Sequence, residues 1–294
     1  MNIRANTRAL VLGGGGSTGN AWLIGVVAGL HDGGLDVTTA DLTIGTSAGS
    51  TAAAQLAGAP VAELFEATLI APPRRPAATG RGGGTTARVS EHLERMNSVI
   101  AAASGPADLR RRLASAALER DAASDGSWSQ QWRATVTARL PARTWPTRRA
   151  LITAVDARTG DPVVFDEDSG IDLVDAVAAS CSSGLPYRIG EHRYIDGGFR
   201  SNAENADLAT GYERVLVLSP FGGKTLLPLE WGTHLAAQVT DLRARGSRVE
   251  TVFPDGAAEH LFGADAMDLS LRPTAARAGF QQGCDLAERL MAFW

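Results

Sequence analysis

The apolar positions of this chain fall into short runs separated by glycine loops. Ala9-Leu10-Val11-Leu12 is a four-residue run suited to a buried strand. The loop Gly13-Gly14-Gly15-Gly16-Ser17-Thr18-Gly19 follows, and residues 20–30 then stay apolar for the length of a buried helix ending near Gly33-Gly34. Leu42-Thr43-Ile44 reads as a second strand, and the alanine-rich stretch 50–56 as a second helix. Two strand–loop–helix units in the first 58 residues predict an α/β fold: a doubly wound, mainly parallel sheet flanked by helices. Strand patterning returns at 149–155, and 161–165 is placed to pair with it. A short apolar helix is expected over 173–179 and a strand ending at Asp196. Further strands are expected at 215–218 and 248–253, and a long helix over 274–294.

The stretch from 59 to about 149 has a different character. Residues 71–76 and 80–84 are Pro- and Gly-rich loops, followed by helical patterns at 89–103, 107–122 and 128–140. The third opens with Ser127-x-x-Gln130, a capping-box pattern. Trp128, Trp132 and Trp145 fit either a helical subdomain with its own small core or a cap that meets a lipid surface. The run Arg110-Arg111-Arg112 reads as a solvated helix face. The expected organisation is one domain over 1–294 with a helical cap insertion at about 71–148.

Composition narrows the class. The 294 residues are 44% hydrophobic and 20% charged, as expected for a globular protein with a sizeable core, and the net charge of −4 gives no nucleic-acid footprint. Cys181 and Cys284 make neither a metal-ligand spacing nor a disulfide framework, which fits a reducing compartment. The longest apolar run, 21–30, is too short to span a bilayer and contains two glycines. The expected location is therefore cytoplasmic, with any membrane contact peripheral.

Three motifs carry candidate chemistry. Gly45-Thr46-Ser47-Ala48-Gly49 lies between a strand and a helix, the context of a nucleophile elbow. There the serine hydroxyl points out at a helix N-terminus that favours a developing oxyanion. Gly14-x-Gly16-x-x-Gly19 has two readings. One is a dinucleotide loop, which expects an acidic residue at the end of the second strand, where Thr46-Ser47 stands instead. The other is a set of N–H groups facing the serine across one strand spacing. Asp196-Gly197-Gly198 ends a short strand, so turn backbone should hold the carboxylate.

The three motifs in this order resemble the patatin-like phospholipases. The matching residues are Gly14-Gly15-Gly16-Ser17-Thr18-Gly19, Gly45 to Gly49, and Asp196-Gly197-Gly198, together with the small-residue run and proline before Asp196. The resemblance covers about 8–58 and 149–218. It implies a three-layer α/β/α fold with Ser47 as nucleophile and Asp196 as the second dyad residue. Gly14, Gly15 and Gly16 would form the oxyanion hole, and Gly19, Gly45, Gly49, Gly197 and Gly198 would support the motifs. It also implies an acyl lipid substrate, phospholipid or lysophospholipid, reached peripherally at a membrane or micelle surface, with no metal and no cofactor. The family places Arg or Lys where this chain has Thr18, so a positive charge beside the hole is missing. Three alternatives stay open: a Ser-His-Asp esterase using His234 or His260, which follow Ser47 with acidic residues in between, a non-catalytic nucleotide-binding module, and a catalytically silent family member. His192 stands four residues before Asp196, about 13 Å along a strand, and is expected at its far end.

Overall fold

The computed structural model describes residues 4–70 and 85–294; the predicted loops at 71–76 and 80–84 lie outside the described residues. The chain opens with β1 (Arg4–Leu12), α1 (Gly16–Asp32), β2 (Leu42–Gly45), α2 (Ala48–Gly58) and α3 (Val61–Leu69). Three helices come next, α4 (Thr85–Ala102), α5 (Pro106–Ala122) and α6 (Trp128–Thr137). β3 (Arg149–Asp156), β4 (Pro162–Phe165), α7 (Leu173–Ser180), β5 (Tyr187–Ile189) and β6 (His192–Asp196) follow. The chain ends with β7 (Tyr212–Leu218), α8 (Leu235–Ala244), β8 (Arg248–Val252) and α9 (Arg272–Phe293).

The strands form one sheet in the order β5-β6-β3-β2-β1-β7-β8, with β4 also paired to β3. β1 is parallel to β2 and β7, and the parallel set extends to β3 and β8. β4, β5 and β6 make antiparallel pairs at one edge, including the expected β3–β4 pairing. The chain winds from β1 through β2 to β3, then returns to β1's other side with β7 and β8. The loop after β1 therefore lies at a switch in strand order, where α/β sheets open a crevice.

Alternate residues of β1 enter opposite cores, and this makes the three layers. Leu10 and Leu12 pack into the cluster containing α1, α2, α7 and α9, while Ala9 and Val11 pack with Leu235, Val239 and Leu242 of α8. Residues Thr18 through Leu30 of α1 are all buried, as an all-round apolar helix must be. α1 and α9 run in the same direction with their backbones in contact. A Cβ on Gly25 or Gly29 would strike the carbonyl oxygen of Ala276 or Phe280, and one on Gly279 or Gly283 that of Trp22 or Val26. No helix among the described residues is long and apolar enough to cross a membrane.

The helical segment departs from its sequence pattern in three places. The capping box at Ser127 does not form: Ser127 has helical φ and ψ (−72°, −20°), and its hydroxyl donates to Asp125 Oδ1 at 2.8 Å. The hydroxyl oxygen instead accepts the Gln131 side-chain amide at 3.1 Å. The tryptophans build no separate core. Trp132 Nε1 donates to Ala178 O (3.0 Å) and Trp145 Nε1 to Ile171 O (2.7 Å), and both rings pack against the main core. Arg110 is only half-exposed rather than solvated, donating to Gly160 O (2.9 Å) and Arg200 O (3.1 Å).

Candidate active site

β2 delivers Ser47 into a backbone conformation that few non-glycine residues hold, φ 52° and ψ −119°. Such a conformation costs on the order of 1–3 kcal/mol and persists only where its surroundings enforce it. Gly49 allows the turn to close, since a Cβ there would collide with Leu12 O. The peptide groups of Ser47 are held on both sides. Its N–H donates to Ser180 Oγ at 2.9 Å. Its carbonyl accepts from Ser50 Oγ at 2.6 Å and from Cys181 Sγ at 3.0 Å.

The Ser47 hydroxyl donates to Asp196 Oδ2 at 2.9 Å. Asp196 ends β6 beside Ala154 of β3, and its other oxygen, Oδ1, accepts the Gly198 N–H at 2.9 Å. The carboxylate is held by turn backbone, as the Asp-Gly-Gly sequence suggests. Asp196 is 6% exposed, and burial raises its pKa to about 6 against the opposing pull of the Gly198 and Ser47 hydrogen bonds. Gly197 and Gly198 open a 3-10 turn (Gly197–Phe199).

The glycine loop faces this pair. Leu12 of β1 pairs with Gly45 of β2, so the two loops leave adjacent strand ends, and a Cβ on Gly14 would lie 3.5 Å from that of Ser47. The three expected donors are not equivalent. Gly14 N–H is committed to Ala203 O at 2.8 Å, which removes it as a free donor. The N–H groups of Gly15 and Gly16, at the start of α1, have no acceptor among the described residues. Gly19 closes the loop by donating to Gly15 O at 2.9 Å. Thr18 is fully buried, its N–H on Ala266 O (3.0 Å) and its hydroxyl on Leu261 O (2.8 Å).

Several supporting residues escaped the sequence reading. Asn205, with φ 55°, donates to Thr46 Oγ1 and Gly197 O, both at 3.0 Å, tying the elbow to the aspartate turn. Glu204 is 2% exposed beside Gly13, accepts from Ser219 Oγ at 2.6 Å, and is pushed up to about 6 by burial. No motif marks Asn205 or Glu204. Ser180 and Cys181 belong to the small-residue run before Asp196, which is the one signal that points to them. No histidine is hydrogen-bonded to Ser47 or Asp196 among the described residues. His192 sits at the opposite end of β6, 3.9 Å from Asp156, as expected.

A strained serine between strand and helix, bonded to a buried carboxylate opposite free backbone N–H groups, defines an α/β protein with a hydrolase-like elbow. The sequence matches the family model described as patatin-like phospholipase over residues 10–207, and the chain belongs to that family. None of the curated proteins compared with it matches. Among solved structures it is similar to VipD from Legionella pneumophila (11% identity, TM-score 0.43), covering 98% of this chain and 68% of that one. It is also similar to the type III effector protein ExoU (14% identity, TM-score 0.31), covering 96% of this chain and 54% of that one. Full-length ExoU in complex with SpcU, from the type III secretion system of Pseudomonas aeruginosa, gives 17% identity and TM-score 0.33. It covers 99% of this chain and 61% of the other. The chain thus spans well under two thirds of ExoU's length.

Proposed function

We propose that the protein is a serine lipid acyl hydrolase that cleaves carboxylic esters of phospholipids or lysophospholipids through a Ser47–Asp196 dyad. The observation that carries this reading is the 2.9 Å bond from Ser47 Oγ to Asp196 Oδ2 at a strained elbow facing the glycine loop. Ser47 Oγ attacks the ester carbonyl carbon as its proton passes to Asp196 Oδ2. The carbonyl oxygen becomes an oxyanion and takes the N–H groups of Gly15 and Gly16, each such donor being worth about 3 kcal/mol in serine hydrolases. Collapse breaks the ester C–O bond, and the departing alcohol oxygen receives the proton from Asp196. Water then attacks the acyl-enzyme, gives its proton to Asp196, and the fatty acid leaves as Ser47 Oγ is reprotonated.

Helices α4–α6 serve as the cap in this reading. A groove of about 1030 Å³ runs between α4 and α5 and the strand end that carries Asp196, with Val99, Leu113, Leu185, Ile195 and Phe199 along it. It suits an acyl chain. The test is labelling with a fluorophosphonate and mapping the modified peptide. Ser47 is expected to carry the label, Ser47→Ala to abolish it, and Asp196→Asn to slow acylation by about three orders of magnitude in a folded protein. Label on another serine would overturn the assignment.

A further inference from the structure

Two cations on the elements around Ser47 have no carboxylate partner among the described residues. Arg272, the first residue of α9, is half-buried and reaches back to the start of α1. Its Nη1 donates to Ser17 O (2.9 Å) and Ser17 Oγ (3.3 Å), and its Nη2 to Asn20 Oδ1 (3.1 Å). Ser17 directly follows the glycine loop. Asn20 Nδ2 lies 3.5 Å from the carbonyl of Ala48, the residue after the nucleophile, and 2.9 Å from Gln55 Oε1. Gln55 in turn donates to Arg139 O at 3.1 Å. Arg139 follows α6, and its guanidinium stands over the Trp132 ring, 5.2 Å from the centroid. Stacking engages the guanidinium face and leaves its in-plane N–H groups free.

Neither arginine forms a salt bridge among the described residues, although the chain pairs many of its others with carboxylates. Burial first, and then the positive field of Arg139, lower Arg272 to about 10. Trp132, under the Arg139 guanidinium, donates to Ala178 O of α7, the helix whose Ser180 holds the Ser47 N–H, so Arg139 stands on the elements that frame the elbow. Two guanidinium groups with no carboxylate partner among the described residues, linked through Asn20 and Gln55 and one of them docked by three hydrogen bonds to uncharged oxygens, are suited to an anion. Planar guanidinium edges suit phosphate oxygens in particular.

We propose that Arg139 and Arg272 recognise the phosphodiester of the acyl substrate, making this hydrolase selective for esters that carry a phosphate headgroup over neutral acyl glycerols. The inference rests on the acyl-hydrolase reading of Ser47. It returns to the glycine loop, from the far end of the chain, the positive charge that is missing at Thr18. Asn20 and Ser17 are positioning residues, since they hold Arg272 and touch no substrate.

The test compares dihexanoylphosphatidylglycerol with dihexanoylglycerol below their micelle concentrations, because the two differ only in the headgroup. The ratio of kcat/KM for phospholipid over diacylglycerol should fall about tenfold or more in Arg139→Gln, as for loss of a charge-assisted hydrogen bond. The loss should be carried mainly by KM, and Arg272→Lys should retain more of the ratio than Arg272→Gln. Arg139 is exposed, so its variant is expected to fold. An unchanged ratio, or both substrates falling in proportion, would overturn the proposal. In parallel, calorimetric titration with inorganic phosphate should show saturable binding that Arg139→Gln weakens, and phosphate binding indifferent to Arg139 would also overturn it. Phosphate binding lost in the variant with the lipid ratio unchanged would mark a free-phosphate site and reject headgroup recognition. Failure of the acyl-hydrolase reading looks different: wild type turns over neither lipid and Ser47 stays unlabelled, and the phosphate titration then decides the arginine site alone.

Discussion

The elbow around Ser47 and the helical segment α4–α6 are held in opposite ways. At the elbow, position comes from the main chain and from short buried side chains. Ser47 N–H and C=O are both bonded, Gly49 presses on Leu12 O, and Asn205 laces the turn of Asp196 to Thr46. In the helical segment, position comes from long side chains reaching down to carbonyls: Arg110 to Gly160, Arg120 to Gly184, Trp132 to Ala178. The first arrangement leaves few rotamers to vary. The second can be retuned one side chain at a time. On the proposed function, the geometry needed for bond making would reside in backbone, and choice of substrate in side chains.

The harshest way to break this contrast is to add one methyl group at the elbow. Gly49→Ala places a Cβ on Leu12 O and should cost about 3 kcal/mol of stability or more, read by denaturant unfolding, with loss of fluorophosphonate labelling. A methyl-sized change on an exposed helical position such as Ser98 should stay within about 0.5 kcal/mol. A milder cut is Ser180→Ala, which strips the acceptor from the Ser47 N–H. An unsatisfied buried donor costs about 1–3 kcal/mol, so acylation should slow by roughly ten- to a hundredfold with little change in KM for a soluble ester.

Titration sharpens the comparison further. On the proposed mechanism Asp196 takes the serine proton only when ionised, and burial raises its pKa to about 6. Acylation should then fall about tenfold per pH unit below that point. Stability moves the other way. Asp196 and Glu204 are both raised above the ordinary carboxylate range, so the native state binds extra protons between about pH 4 and 6. The protein should lose stability as pH rises through that window, and Asp196→Asn should flatten part of the slope in pH-dependent melting curves. The smallest effect belongs to the groove. Leu113→Ala should shift the preferred acyl-chain length by a few-fold in kcat/KM while leaving labelling of Ser47 by a small fluorophosphonate intact.

What could be read in advance follows the same division. Strands β1, β2, β3 and β7 and the three glycine-bearing motifs were legible because period, glycine and serine are local signals. Asp196 was legible because its turn residues follow it directly. Asn205 and Glu204 were not, since their partners Thr46 and Ser219 come from other elements and no spacing encodes them. What sets Gly14 apart from Gly15 and Gly16 was not legible for a related reason: its N–H is bonded to Ala203, a residue that joins the loop only through the fold. The tryptophans of α6 were ambiguous because an apolar stripe does not say which core it enters.

The seam between α1 and α9 also sets a clock on the making of the protein. Residues 16–32 are synthesised well before residues 272–293, yet the latter supply the surface that covers their glycine face. β1 likewise waits for β7 on one of its sides. Such long-range pairings form late and slowly. Until they do, α1 has no fixed seat, the loop it anchors has no fixed aim, and the Ser47 segment stands ahead of the rest of its crevice. A nascent chain carrying every residue of the family motifs is therefore expected to be inert, with activity arriving only when α9 docks.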